Sequence, residues 1–132
     1  MSNMDIEIEG KGAFRPGEEI RARARWELPK NPKWLEVKLL WRTEGKGDQD
    51  IRMAETVRFE TPSASGVKDF RFTAPSGPYS FSGTLISIIW CIQLAKLGGE
   101  NSVRKKIIIS STRKEVLLHV SHSSPIENAE LV

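Results

Sequence analysis

The sequence predicts an all-β fold, a two-sheet antiparallel β-sandwich of about seven or eight strands. Apolar and polar residues alternate at period two through most of the chain, which is typical of strands with one buried face. Turns containing glycine or proline separate these runs, and no window of about twelve residues carries the apolar stripe of a helix. With 132 residues and a hydrophobic fraction of 39%, the chain suits one packed domain. We assign that domain to residues 1–120 and a C-terminal tail, with the composition of a poorly ordered segment, to residues 121–132.

The alternation divides the domain into seven predicted strands and one undecided segment. The first strand is centred on Ile6 and Ile8. The positions expected to share one face in the other six are Ile20, Ala22, Ala24, Trp26 and Leu28; Leu35, Val37, Leu39 and Trp41; Ile51, Met53, Val57 and Phe59; Phe70 and Phe72; Ile86, Ile88, Trp90, Ile92 and Leu94; and Val103, Lys105, Ile107 and Ile109. Turns at 16–17, 29–32, 45–48 and 98–101 punctuate the series, since glycine supplies positive φ and proline removes a hydrogen-bond donor. Residues 114–120 fit an eighth strand and an irregular terminus equally well.

Composition narrows the cellular setting. A single cysteine excludes an intramolecular disulfide framework and favours a reducing compartment. The N-terminus has no basic segment followed by an apolar one, and the longest apolar stretch, around residues 85–97, is interrupted and shorter than the ~20 residues of a membrane span. We therefore predict a cytoplasmic protein with no integral membrane segment. The net charge of +3 is too small to indicate a nucleic-acid binder.

Three segments together resemble a known family. Residues 12–20 (GAFRPGEEI) contain a Pro-Gly-Glu turn that starts a strand, residues 70–75 (FRFTAP) end one, and residues 78–83 (PYSFSG) form a corner before an apolar strand. This order resembles one lobe of an arrestin-like, immunoglobulin-like β-sandwich. The resemblance implies a sandwich fold and a protein-interaction or scaffolding role. Arrestins have two lobes and this length accommodates one, which leaves open whether another chain supplies the second.

Catalytic and metal chemistry find little support in the sequence. His119, His122 and Cys91 are the only nitrogen and sulfur ligand candidates, and they lack the paired spacing of a structural zinc site. Cys91 lies between Trp90 and Ile92, where a packing role is expected, and no Gly-x-Ser-x-Gly elbow is present. We predict a non-enzymatic protein without metal or cofactor. A hydrolase whose site is formed by dispersed residues is the remaining enzymatic hypothesis.

The main surface candidate is basic. Arg21, Arg23 and Arg25 share a strand face, and Lys38 and Arg42 are expected on the outward face of a neighbouring strand. One interpretation is a solvated sheet face with cross-strand ion pairs. The other is a partner-binding surface for an acidic or phosphorylated protein segment or a lipid headgroup, with an anionic or carbohydrate small molecule as a further ligand class.

A second surface candidate is apolar. Leu85, Ile89 and Ile108 are predicted to point outward from the two last long strands. Such a patch requires a cover. The tail over residues 114–132 is the favoured cover and a second subunit is the alternative, so that monomer and homodimer both remain open.

Overall fold

The computed structural model describes residues 3–45, 49–60, 62–83, 86–96, 102–112, 114 and 116–118. These residues form ten strands. Their bounds are β1 Asn3–Ile8, β2 Ala13–Phe14, β3 Glu19–Glu27, β4 Trp34–Gly45, β5 Ile51–Glu60, β6 Ser65–Thr73, β7 Phe81–Gly83, β8 Ile86–Lys96, β9 Ser102–Ile109 and β10 Val116–Leu118. The segment left undecided by the sequence thus contains a short strand.

The strands form two sheets that pack face to face, which confirms the predicted β-sandwich. Sheet 1 has the order β1-β3-β6. Sheet 2 has the order β10-β7-β8-β4-β5, and β9 pairs with the second half of β8 and with β2. The long pairings are all antiparallel, whereas β10 with β7 and β2 with β9 are short and parallel.

Alternation along β3 shows how the sequence builds the core. Every second side chain from Ile20 to Trp26 is buried and each residue between them is exposed. Trp26 stacks on Phe59 of the opposite sheet with ring centroids 6.1 Å apart, and Phe59 lies 6.5 Å from Phe70. Aromatic contacts of this kind stabilise the packing of the two sheets by more than the burial of their apolar area alone.

The Pro-Gly-Glu turn is hydrogen-bonded to the end of β6. Gly17 has a φ of 87°, a conformation that side chains with a Cβ rarely adopt. Its N–H donates to the Ala74 carbonyl over 2.8 Å, and the Ala74 N–H donates to the Glu18 carbonyl over 2.8 Å. The first two segments of the family resemblance are therefore in direct contact.

The corner at 78–83 is tied to the core by side chains as well as backbone. Trp90 is fully buried, and its indole N–H donates to the Pro78 carbonyl over 2.6 Å. Buried Ser80 donates its N–H to the Ile109 carbonyl over 2.7 Å and accepts the Ile109 N–H on its Oγ over 2.9 Å. These bonds satisfy polar groups that would otherwise be stranded in an apolar interior.

The prediction that Ile51 and Met53 share the inward face of Val57 and Phe59 is wrong. The register against β4 places Leu39 opposite Glu55 but Leu40 opposite Met53, so β5 holds one extra residue there. This β-bulge reverses which face each following side chain takes. Phe59 is buried, whereas Ile51 and Met53 point away from the core and are 49% and 61% exposed.

Candidate functional site

Arg21, Arg23 and Arg25, the arginine stripe, lie on the outer face of sheet 1 as predicted from their alternation. Each is exposed and each pairs with a carboxylate. Arg21 contacts Glu19 on its own strand, Arg25 contacts Glu7 of β1, and Arg23 Nε donates to Asp69 Oδ1 of β6 over 2.7 Å. These ion pairs, which we call the ladder, span all three strands of sheet 1. Each guanidinium group of the arginine stripe therefore already pairs with a carboxylate.

These contacts favour the ionised forms of the acids. The hydrogen bond from Arg23 lowers the pKa of Asp69 below its ordinary value of 3.8, and the hydrogen bond from Arg21 lowers the pKa of Glu19 below 4.5. Any stability that these carboxylates contribute is present above their ordinary pKa values and is lost as the pH falls through the folded-state values. At neutral pH the ladder is charged on both sides.

The structure does not bring Lys38 and Arg42 to the arginine stripe. The expected pairing of their strand with β3 is wrong, because β4 pairs with β5 and β8 in sheet 2. The two groups thus lie on opposite outer faces of a sandwich whose sheets are about 10 Å apart. Lys38 Nζ lies 3.8 Å from Glu36, and Arg42 pairs with Glu44, so the interleaved glutamates compensate them locally.

An open depression of about 550 Å³ crosses the outer face of sheet 1. Its lining residues come from β1, β3 and β6 and from the turn after β1: charged Glu7, Glu9, Arg21, Arg23, Asp69 and Arg71, with Ile8, Ala22 and Phe70 between them. A small-molecule pocket usually encloses its ligand with apolar walls and a few convergent polar groups. Here the depression is open, and exposed charged side chains such as the Arg23–Asp69 pair border it, which gives it the character of a solvated sheet surface.

The outer face of sheet 2 differs in character, because apolar side chains cross it. Register places Met53, Leu40 and Cys91 in one row across β5, β4 and β8, and Ile51, Arg42 and Ile89 in the next row. We call the five apolar members, Leu40, Ile51, Met53, Ile89 and Cys91, the apolar patch. Leu40 and Cys91 are only 2% and 3% exposed although both point away from the core.

The sequence predicted part of this patch and missed part of it. Ile89 is half-buried on the outer face, and Ile108, whose neighbours Ile107 and Ile109 face the core, is half-buried on the same side. Leu85 lies outside the described residues. Consecutive apolar pairs such as Leu39-Leu40 were the available signal, since a strand covered on both faces shows unbroken hydrophobic runs.

Cys91 is positioned as a protected thiol. Burial raises its pKa above the ordinary value of 9.0, while the charges of Arg104 and Arg42 act in the opposite direction. At neutral pH the group is a neutral thiol, which is the poorly nucleophilic form.

The Arg58 guanidinium lies 4.4 Å from the centre of the Trp34 ring. His119 and His122 lie outside the described residues. Among the residues that the structure describes, no three His, Cys, Asp or Glu side chains are grouped to hold a metal ion, and no helix is long and apolar enough to cross a membrane.

Comparison with known proteins supports the fold. No protein-family model matches the chain, and no curated protein matches it. Among solved structures, the sporulation control protein Spo0M of Bacillus subtilis matches with a TM-score of 0.60 and 19% identity, over 83% of this chain and 49% of that one. The likeness shows the fold alone. The chain spans about half the length of Spo0M.

A second solved structure is more distant. Superoxide reductase (neelaredoxin) from Ignicoccus hospitalis matches with a TM-score of 0.45 and 17% identity, over 80% of each chain. At this level of likeness nothing about its chemistry extends to the present chain.

Proposed function

We propose that this β-sandwich is a non-enzymatic module that binds a protein partner through the apolar patch on the outer face of sheet 2. The exposure of Ile51 and Met53 beside outward-pointing Leu40 carries the proposal. Exposed apolar side chains that adjoin one another on a small domain mark interaction sites, whereas single ones are common on any surface. A scaffolding role, cytoplasmic location and the lobe-like resemblance are compatible with this proposal.

The asymmetry between the outer faces supports this choice of surface. On sheet 1, Arg23, Arg25 and their neighbours are paired with carboxylates, and an anionic partner would have to displace those contacts. On sheet 2, burying the exposed parts of Ile51 and Met53 displaces only water. Hydrophobic burial contributes about 25 cal/mol per Å² of apolar area, whereas exchanging one exposed ion pair for another gains little.

The test compares binding by three full-length variants. Ile51→Thr with Met53→Thr removes apolar area and leaves a β-branched residue, which suits a strand, at both positions. Val67→Thr is the matched control, because Val67 is 51% exposed on the outer face of sheet 1. The triple change of Arg21, Arg23 and Arg25 to Ser tests the arginine stripe as the alternative surface.

Affinity capture from the native host, read by mass spectrometry, should return a protein that the Ile51→Thr/Met53→Thr variant loses and both other variants keep. A partner lost only by the arginine variant would transfer the binding site to sheet 1. Capture that all three variants retain equally, or a bound anionic or carbohydrate small molecule in place of a protein, would overturn the proposal.

A further inference from the structure

We propose that two copies of this chain associate through the free edge of β5, in an antiparallel strand pair that joins sheet 2 of one copy to sheet 2 of the other. β5 is the last strand of its sheet, and among the described residues only β4 pairs with it. An edge strand presents a row of backbone N–H and C=O groups that another strand can satisfy. The ten residues of Ile51–Glu60 are long enough for such a pair. This dimer goes beyond the partner-binding role and does not depend on it.

Two charges of β5 lack a partner within the chain. Arg52 and Glu55 are both exposed, and neither side chain has a hydrogen bond or an ion pair among the described residues. The other arginines on described strands all donate to a side chain of the same chain: Arg21, Arg23, Arg25, Arg42, Arg58, Arg71 and Arg104. Arg52 is therefore the exception among the strand arginines that the structure describes, and it lies on a free edge.

The bulge places these two charges on the same face. Glu55 is opposite Leu39 and Arg52 is opposite Trp41, so both belong to the inner side of sheet 2 although they are three positions apart. Both are nevertheless exposed, because sheet 1 does not cover this part of β5. The edge of a second molecule can therefore approach here without displacing core side chains.

Symmetry restricts how β5 can pair with its own copy. Directly opposed residues of antiparallel strands point to the same side of the sheet, and a two-fold axis makes every contact occur twice. Up to the bulge residue Ala54 the odd-numbered side chains point outward, whereas beyond it the even-numbered ones do. Two registers satisfy this rule while using both halves of the strand. One places Arg52 opposite Glu55 of the second copy, and the other places Arg52 opposite its Val57 and forms no ion pair.

Charge complementarity selects the first register. Side chains directly opposed in an antiparallel pair have their Cβ atoms about 4.5–5.5 Å apart, which is within reach of an ion pair between arginine and glutamate. The axis creates this Arg52–Glu55 pair twice. The same register brings Ile51 and Met53 of both copies close to the axis on the outer face, so that the apolar patches of the two molecules adjoin. Exposed apolar side chains on the edge strand then gain contacts that one molecule alone does not offer them.

Charge reversal in the full-length protein tests this pairing, with the mass measured by light scattering over a range of protein concentrations. The wild type should approach twice the 14.9 kDa of one chain as its concentration rises. Arg52→Glu and Glu55→Arg each convert two attractive pairs into two repulsive ones and should raise the dissociation constant at least about tenfold. The double variant Arg52→Glu/Glu55→Arg recreates both pairs and should dimerise like the wild type. An equimolar mixture of the two single variants should form a heterodimer for the same reason.

Lys68→Glu is the matched control, because Lys68 is an exposed charge on β6, the edge strand of sheet 1 on the same side of the sandwich as β5. This variant should keep the dimer. A wild type that stays monomeric at every concentration, or a dimer that tolerates both reversals, would overturn the proposal. A dimer lost only with Lys68→Glu would overturn it in favour of β6. Unchanged urea midpoints in the single variants verify that the loss of mass does not report unfolding.

Failure of the dimer and failure of the proposed function are separate results. Arg52 and Glu55 lie on the inner side of sheet 2 and are not members of the apolar patch. A monomeric wild type that captures a partner, and loses it on Ile51→Thr/Met53→Thr, refutes the dimer and leaves the proposed function standing.

Discussion

Truncating Trp90 to alanine should be among the most damaging single changes in this domain. The side chain is fully buried, lies across from Trp41 and Ile107, and donates its indole N–H to Pro78 over 2.6 Å. Removing a buried aromatic ring costs about 3–5 kcal/mol through lost transfer free energy and the cavity left behind. A domain of this size typically has a free energy of unfolding of about 5–15 kcal/mol, so the loss is a large share of the total.

The assay is urea unfolding followed by far-ultraviolet circular dichroism. With a slope near 2 kcal/mol per molar, the midpoint should fall by about 2 M. Trp90→Phe separates the two contributions, because it keeps most of the ring and leaves the Pro78 carbonyl without its donor, at a cost of about 1–3 kcal/mol. Trp34→Ala is the control, since Trp34 is half-buried beneath Arg58 and its loss should cost no more than about 1–2 kcal/mol. An effect of Trp90→Ala equal to that of Trp34→Ala would refute the assignment of the inner face of β8.

Three further changes have expected outcomes. Gly66→Ala places a Cβ 2.7 Å from the Trp26 ring and should lower the free energy of unfolding by about 1–3 kcal/mol through overpacking, whereas Ser65→Ala beside it should be nearly neutral in the same urea assay. Cys91→Val should remove an alkaline loss of stability: the folded-state pKa of the thiol is raised, so the wild type loses up to about 1.4 kcal/mol per pH unit above ~pH 9 relative to the variant, and parallel pH profiles would contradict this. Changing the three stripe arginines together to Ser should leave thermal unfolding cooperative, and a broad or absent transition would show that the stripe does not face solvent.

The period-two alternation of apolar and polar residues predicted well which segments form strands and which face of each strand is buried. Alternation in β3 separates buried Ile20 and Trp26 from exposed Arg21 and Arg25 without exception, because a strand has only two sides. The burial of Ser80 could not be predicted from the alternation, because it depends on two hydrogen bonds to Ile109, which is 29 residues away. Contacts at such separation are fixed by the packing of the corner against β9.

The alternation also could not predict to which of the two sheets each strand belongs. The basic residues of β3 and β4 were expected side by side, since consecutive strands often pair, but the chain crosses to the other sheet between Leu28 and Trp34. Nothing in the alternation distinguishes a hairpin from a crossing, because both keep one face inward. The bulge in β5 is hidden for a related reason. Val57 lies four positions after Met53, an even number that preserves the apparent alternation until the pairing with β4 shows the true register.

The outer faces carry the functional information that the fold does not. A sandwich solvated on both sides needs alternation in every central strand, and β3 meets that requirement. The central strands of sheet 2 do not: Leu39 and Leu40 are both buried in β4, and Cys91 is buried between Trp90 and Ile92 in β8. Beside these buried outward-facing side chains the bulge places exposed Ile51 and Met53. The irregularity that the alternation could not predict therefore produces the exposed apolar surface through which we propose that the domain binds a partner.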